Sequence, residues 1–210
     1  MNSNRMIALL RNATLAALAA ATLGGCAALL VGGAVGTALV ASDRRTSGVQ
    51  LEDQSIELKA VTRIREAVGE RGHVSAVSYN RMVLLTGEVA TEEDRTAIEQ
   101  TVSRIENVRS VVNELAVMGA SSLTARSNDT ILTSKVKATY VDAKDLHANT
   151  IKVITERGTV YLMGRVTERE ATRSSELARG VSGVQKVVKV FEVVSEGELA
   201  DTQPKAVAKP

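Results

Sequence analysis

The chain has 210 residues, of which 44% are hydrophobic and 24% charged, and its formal net charge is +2. This length and composition allow one large folded domain or two small ones. Aromatic residues make up only 2% of the chain, so aliphatic side chains must form the cores and base stacking on nucleic acid is disfavoured. We expect no nucleic-acid partner, and the single cysteine, Cys26, excludes an intramolecular disulfide.

The start of the chain has the layout of a lipoprotein signal peptide. Arg5 and Arg11 precede the apolar run 13–23, which ends at Leu23 and is followed by Gly24, Gly25 and Cys26. This pattern resembles the bacterial lipobox, and the resemblance implies a signal peptide over 1–25 and diacylation of Cys26. Two acyl chains anchor a protein stably, whereas one does not.

The residue after Cys26 is Ala27 rather than the Asp that usually retains lipoproteins at the inner membrane. The resemblance therefore implies an outer-membrane lipoprotein that faces the periplasm, with a Gly- and Ala-rich tether over 26–48. One alternative stays open: the uncharged stretch from Asn12 to Ser42 is long enough to span a bilayer as one helix. Three glycines would loosen such a helix, and the lipobox would then be coincidental.

The rest of the chain repeats once, with a spacing of 75 to 77 residues. Two such repeats predict two small domains rather than one large core. We expect domains over 49–118 and 123–194, a linker over 119–126 and a disordered tail over 195–210. The matched positions pair Ile56, Val61, Val83, Leu85, Gly87 and Val89 with Ile131, Val136, Val160, Leu162, Gly164 and Val166.

The elements of the first copy follow in chain order. A helix over Asp53–Val68, capped by Asp53 or Ser55, precedes a hairpin that turns at Asn80-Arg81. A second helix over about Thr91–Ile105 opens with acidic residues, which suit the positive end of the helix dipole. A last strand over Val111–Val117 closes the unit.

The second copy has the same order. Its first helix runs over Asp129–Ala143 with Asn128 or Asp129 as cap, and its hairpin turns at Arg157-Gly158. A helix over about Thr167–Val181 and a strand over Val187–Val194 follow. The predicted fold class is α+β: two tandem α-β-β-α-β domains, each a three-stranded mixed sheet with two helices on one face.

The two copies have net charges of opposite sign. Residues 49–118 carry 8 Lys and Arg against 12 Asp and Glu, whereas residues 123–194 carry 12 against 8. The basic half is the candidate for contact with an anionic surface. Small domains also differ by a few charges without functional reason.

Short motifs in both copies resemble the BON domain. The first copy has Val-x-Leu-x-Gly-x-Val over Val83–Val89 and a Val-x-x-Val-x-Asn ending over Val108–Asn113. The second has the matching strand over Val160–Val166 and Gly-Val-Ser-Gly-Val over Gly180–Val184. Together with the lipobox, this is similar to the dual-BON outer-membrane lipoproteins, and the likeness covers nearly the whole chain except the tail.

The resemblance implies a non-enzymatic protein that binds phospholipid and supports outer-membrane integrity, including at sites of envelope division. It also implies that the first helix of the second domain recognises anionic lipid. On that helix, Val136 and Leu132 belong to the core stripe, whereas Ile131 lies about 140° from Val136, on the same side as Lys135 and Ala138. An exposed Ile beside a lysine suits an interfacial helix, and the predicted lipid-contact residues are Ile131, Leu132, Lys135 and Ala138.

Other interpretations of these features stay open. Ile131 could instead pack on the linker or on the other domain. Ile56 has the equivalent helical position in the first copy, which would suit a structural role in both copies. The first domain could dock the second or bind a partner protein. A different class of function is a periplasmic adaptor for envelope-assembly or peptidoglycan-remodelling proteins.

The sequence offers little sign of catalytic or metal chemistry. His73 and His147 are not aligned by the repeat, and neither has metal-ligand spacing. We expect no enzyme activity, no metal and no cofactor. Gly87 and Gly164 indicate close packing or a bulge in a strand.

Overall fold

The computed structural model describes residues 43–69 and 71–202, so the predicted signal peptide and Cys26 lie outside the described residues. The first copy forms helices α1 and α2 and strands β1 to β4. Their bounds are α1 Ser47–Val68, β1 His73–Tyr79, β2 Met82–Val89, α2 Glu92–Ser103, β3 Ser110–Asn113 and β4 Ala116–Val117. The predicted last strand is thus interrupted at Glu114 and Leu115.

The second copy repeats the order, and its last strand is continuous and longer than that of the first copy. A short 3-10 turn over Ala148–Thr150 leads into its hairpin. The elements are α3 Leu123–Asp142, β5 Ile151–Glu156, β6 Thr159–Val166, α4 Glu168–Arg179, β7 Lys186–Val193 and α5 Glu196–Thr202.

Both first helices begin earlier than predicted, because other residues cap them. Thr46 Oγ1 accepts a hydrogen bond from Val49 N at 3.3 Å and begins α1 within the predicted tether. Ser122 Oγ accepts from Ala125 N at 3.2 Å and begins α3 within the predicted linker. Hydroxyl caps of this kind satisfy the free N–H groups of the first turn.

The start of the tail is helical, so the predicted disorder is wrong for residues 196–202. Ser195 N donates to Glu198 Oε2 at 2.9 Å, and Glu198 N donates to Ser195 Oγ at 3.2 Å. This reciprocal pair is a capping box. Leu199 in the same turn is buried.

The two sheets have the same topology. β1 pairs with β2 antiparallel and β5 with β6 antiparallel, while β3 and β7 add to β2 and β6 in parallel. Each hairpin turns on two residues with positive φ: Asn80 and Arg81 in the first, Arg157 and Gly158 in the second. Two-residue turns of this conformation match the twist of the strands, and the predicted turns and α+β fold class are confirmed.

Each domain has its own aliphatic core between the helices and one face of its sheet. In the first, α1 contributes Ile56, Ala60 and Ile64, which pack on Val83 and Leu85 of β2. In the second, Val136 and Tyr140 of α3 occupy the corresponding place. Tyr140 also donates a hydrogen bond from its hydroxyl to the Ser174 carbonyl of α4, at 2.9 Å.

Two buried aspartates, each the seventh residue of its helix, hold the hairpin turns. Asp53 accepts hydrogen bonds from Asn80 N and Arg81 N, each at 2.8 Å. Asp129 accepts from Arg157 N at 2.8 Å and from Gly158 N at 2.9 Å. Neither aspartate caps its helix, because each carboxylate binds the turn of the following hairpin.

These aspartates correct the repeat register by one residue in the first helices. The spacing of 76 between Asp53 and Asp129 pairs Ile56 with Leu132, and both side chains are buried. Ile131 corresponds to Ser55, so the predicted equivalence of Ile56 and Ile131 is wrong. The exposed Ile is a feature of the second copy only.

Gly87 and Gly164 mark a close backbone approach. A Cβ on Gly87 would lie 2.0 Å from the His73 carbonyl oxygen, and Gly87 also has φ of +112°. A Cβ on Gly164 would lie 2.6 Å from the Thr150 carbonyl oxygen. Both observations agree with the predicted close packing.

The sheet faces opposite the helices pack against each other and join the two domains. Tyr79 and Leu84 of the first domain meet Tyr161, Met163 and Val190 of the second in a third buried apolar cluster. A three-stranded sheet with helices on one face leaves its other face apolar and open. Here the two open faces cover each other.

Candidate functional site

The exposed side of α3 carries three of the four predicted lipid-contact residues. Ile131 is 54% exposed, and Lys135 and Ala138 are exposed beside it. Leu132 is only 7% exposed, because it points into the core stripe with Val136. Leu132 therefore belongs to the core, and it also lines the adjoining groove.

That groove, of about 790 Å³, lies along the N-terminal half of α3. Its walls include Ile131, Leu132 and Lys135 of α3, the hairpin turn at Arg157, and Ser121 of the linker. The carboxylate of Asp129 also lines it but already accepts two backbone hydrogen bonds from the turn. The groove thus combines apolar and cationic side chains with a carboxylate whose charge is partly satisfied.

Ion pairs cross the junction between the acidic and basic domains. Lys152 Nζ lies 2.8 Å from Glu57 Oε1 and donates to the Ser78 carbonyl at 3.3 Å. Arg157 Nη1 lies 3.3 Å from Glu88 Oε1. The opposite charges of the two copies therefore contribute to domain docking, which is one of the roles that the sequence left open for the first domain.

A short segment before α1, the strap Asp43–Arg45, contacts both domains. Arg44 makes a bidentate ion pair with Glu170, with both N–O distances at 2.7 Å, and donates to the Arg165 carbonyl at 2.8 Å. Arg45 Nη1 lies 2.8 Å from Asp53 Oδ2, and its guanidinium stacks 4.1 Å from the centre of the Tyr79 ring. The strap thus binds the second domain through one arginine and the first through the next.

Glu170 is 2% exposed, and burial alone would raise its pKa. The Arg44 hydrogen bonds, the Thr167 backbone N–H and the Arg44 charge outweigh burial and lower the pKa of Glu170 to about 2. The carboxylate is therefore ionised in the folded protein and depends on Arg44 for its partner.

A cluster of titratable groups lies at the edge of the junction, where sequence analysis predicted no metal site. His73 of β1 and Glu88 of β2 are paired directly across the first sheet, and Glu156 of β5 faces them from the second domain. One ligand atom from each of the three lies within 4.8 Å of the others. Burial, then the nearby Glu88 and Asp129 carboxylates, raise the pKa of Glu156 to about 7.

Nothing in the local sequence signals this cluster, because its members come from different domains. The strap was missed for the same reason, since Arg44 and Glu170 are 126 residues apart. The apolar junction did leave a signal: Met82–Leu85 and Val160–Met163 are apolar at every position instead of alternating. Such runs are typical of strands buried on both faces.

Within residues 43–69 and 71–202, no helix combines the length and the apolarity needed to cross a membrane. Most of the large exposed apolar side chains lie on helix surfaces, and the others, Val117, Met118 and Val193, lie at the ends of the last strands. On α1, Leu51 and Leu58 are 69% and 72% exposed and lie two turns apart on one face. This face belongs to the first domain and is separate from the groove on α3.

Comparison with known proteins identifies both domains. The BON-domain family matches residues 53–119 and 128–195. The chain is 39% identical over 158 residues to "Outer membrane lipoprotein DolP" of Haemophilus influenzae, covering 74% of this chain and 81% of that protein.

Two further relatives share both less identity and less coverage. The "21 kDa hemolysin" of Actinobacillus pleuropneumoniae is 29% identical over 154 residues, covering 72% of this chain and 79% of that protein. "Osmotically-inducible protein Y" of Escherichia coli is 28% identical over 117 residues, covering 54% of this chain and 58% of that protein. The relatives support a role as an outer-membrane lipoprotein in general. The two matched segments, the repeated fold and the identity to DolP show that this chain belongs to the BON-domain family, as a dual BON-domain, DolP-like protein.

Proposed function

We propose that this protein is anchored in the outer membrane by acyl chains on Cys26, faces the periplasm, and binds anionic phospholipid through its second BON domain. Binding, rather than catalysis, is its activity, and it supports outer-membrane integrity, including at division sites. The observation that carries the lipid proposal is the exposed face of α3. There Ile131 stands out from the helix beside Lys135, on the domain with the positive net charge.

The chemistry of this face suits the boundary between lipid headgroups and acyl chains. An exposed aliphatic side chain inserts below the headgroups, while a lysine beside it gains roughly 1 kcal/mol near an anionic surface. The groove next to Ile131 offers room for a headgroup between Lys135 and the Arg157 turn. Such contacts are weak, but acyl anchoring would hold the domain near the bilayer and make weak contacts sufficient.

The first test is vesicle binding by a soluble protein that begins at Asp43, so that the strap and both domains are kept. Wild-type protein is expected to sediment with vesicles containing phosphatidylglycerol but not with pure phosphatidylcholine, and added salt should weaken binding. Ile131→Glu should lower the bound fraction at least tenfold, because it places a carboxylate where the apolar side chain inserts.

The matched control is Leu58→Glu, which makes the same kind of change at an exposed apolar position on α1 of the first domain. It is expected to bind vesicles like the wild type. Equal loss in both variants, or undiminished binding by Ile131→Glu, would contradict the assignment of α3 as the lipid face.

A second candidate function is an adaptor for envelope proteins, and the exposed Leu51 and Leu58 of α1 favour it. Two leucines two turns apart form a narrow apolar stripe of the kind that binds a groove or another helix. The residues around it include acidic Glu52, which suits a protein partner better than an anionic bilayer.

This candidate predicts the reverse pattern for the same two variants. Leu58→Glu should remove specific crosslinks to envelope proteins in whole cells, whereas Ile131→Glu should keep them. Crosslinking followed by mass spectrometry measures the difference. Crosslinks that disappear with Ile131→Glu but survive Leu58→Glu would reject the adaptor face on α1.

A further inference from the structure

The edge of the domain junction brings together an imidazole and two carboxylates from both domains. His73 and Glu88 face each other across β1 and β2, and His73 Nδ1 lies 4.0 Å from Glu88 Oε2. Glu156 comes from the end of β5 in the second domain, and one ligand atom from each residue lies within 4.8 Å of the others. The chain thus places one nitrogen and two oxygen ligands around one point.

Two of the three groups have buried ligand atoms, and one of these atoms has no hydrogen-bond partner among the described residues. Glu88 is fully buried, although it accepts hydrogen bonds from Ser121 N at 3.1 Å and from Arg157 Nη1 at 3.3 Å. His73 Nδ1 is also buried and has no hydrogen-bond partner among the described residues. Buried polar atoms nearly always have a partner, so an orphaned nitrogen aimed at a carboxylate requires an explanation.

We propose that His73, Glu88 and Glu156 bind a divalent zinc ion that bridges the two BON domains. Imidazole nitrogen and carboxylate oxygen are both zinc ligands, at about 2.0 to 2.2 Å from the metal. In a tetrahedral site, neighbouring ligand atoms lie roughly 3.3 Å apart. Small side-chain rotations would close the cluster to that size, and water or another ligand would complete the coordination.

Charge at the cluster is compatible with a cation. Glu88, Glu156 and Asp129 contribute three carboxylates, whereas the neighbouring cationic side chains are Arg157 and Arg126. The Arg157 side chain is 42% exposed, so its guanidinium can turn outward when a metal binds Glu88. The two ligands from the first domain are set by the pairing of β1 with β2, and binding adds the third from the second domain.

The test is zinc titration of the full chain in detergent micelles. The chain carries Cys26→Ser, so that its single thiol cannot bind the metal. Calorimetry is expected to give one zinc ion per chain, and saturating zinc should raise the midpoint of thermal unfolding because the ion binds only the folded, docked state. His73→Ala and Glu156→Gln should each weaken zinc binding at least tenfold.

His147→Ala is the matched control, because His147 is an exposed histidine on the second domain and the chain has only these two. It should bind zinc like the parent protein. Glu156→Gln keeps the size of the side chain, and a circular dichroism spectrum like that of the parent shows that it is folded. Failure of the parent to bind zinc, or equal binding by parent, His73→Ala and Glu156→Gln, would overturn the proposal.

Discussion

Replacing Arg44 with alanine is expected to lower the free energy of unfolding by about 3–5 kcal/mol, because the change leaves the buried Glu170 carboxylate without its ion-pair partner. Arg44 and Glu170 form a bidentate pair in which the side chains are 9% and 2% exposed. Urea unfolding of the soluble protein that begins at Asp43, followed by circular dichroism, measures the loss.

Two variants decide whether the unpaired charge is the cause. Glu170→Gln in the Arg44→Ala background should recover part of the loss, because it removes the stranded carboxylate. Arg173→Ala breaks an exposed pair with Asp145 and should cost only about 0–1 kcal/mol. If Arg44→Ala cost no more than Arg173→Ala, the contact of Arg44 with the second domain would have no structural importance.

The same pair contributes to the response of the protein to acid. Because Glu170 has a pKa of about 2 in the folded protein against an ordinary value of 4.5, its contribution is complete above pH 4.5 and is lost as the pH falls toward 2. The difference corresponds to about 3 kcal/mol. Unfolding curves between pH 6 and 2.5 should therefore fall less steeply with pH for Arg44→Ala than for the parent protein.

Leu84→Glu is expected to separate the two BON domains while each stays folded. Leu84 is fully buried in the cluster between the sheets, which is distinct from the two cores beneath the helices. Removing a buried leucine side chain costs about 2–5 kcal/mol, and an added carboxylate in the same place costs more. Small-angle X-ray scattering should show a larger radius of gyration, and thermal unfolding should resolve into two transitions.

Leu58→Glu controls for the new charge, because Leu58 is exposed on α1 and does not touch the junction cluster. It should leave both the scattering profile and the single transition unchanged. A Leu84→Glu protein with the compact scattering of the parent would show that the sheet faces do not hold the domains together.

The hairpin turns and the order of elements could be predicted because their causes are local. Each turn has one residue suited to positive φ, Asn80 or Gly158, next to an arginine and between β-rich runs, so the repeat indicates a turn at the same place twice. The helix starts were missed by about six residues, because Thr46 and Ser122 cap helices whose first turns carry no apolar period. A helix whose first turn lacks an apolar period resembles a linker in sequence, and only the capping hydroxyl marks its start.

The role of Asp53 and Asp129 shows where local patterns mislead. An aspartate at the start of an apolar period is typical of an N-cap, yet both are buried and hold a turn about 28 residues later. A register based on the aspartates rather than on the nearest apolar residue would have paired Ile56 with Leu132. Ile131 would then have been identified as unmatched in the first copy.

The candidate sites differ in how much of each could be predicted from the sequence. The exposed face of α3 follows from helix phase alone, because Ile131, Lys135 and Ala138 lie on one side. The zinc cluster and the strap require the packing of one domain on the other, and no periodicity within either copy encodes that packing. Only the runs of apolar residues in β2 and β6 indicated that the second sheet faces are covered.

The sheet-to-sheet junction and the strap have a geometric consequence at a bilayer. Two BON domains that share a buried face and a doubly bound strap have no free hinge between them, so tilting one tilts the other. Under the proposed function, insertion of Ile131 among lipid headgroups would therefore also fix the direction in which Leu51 and Leu58 point. The proposed lipid contact of the second domain would thus set the orientation of the first domain at the membrane.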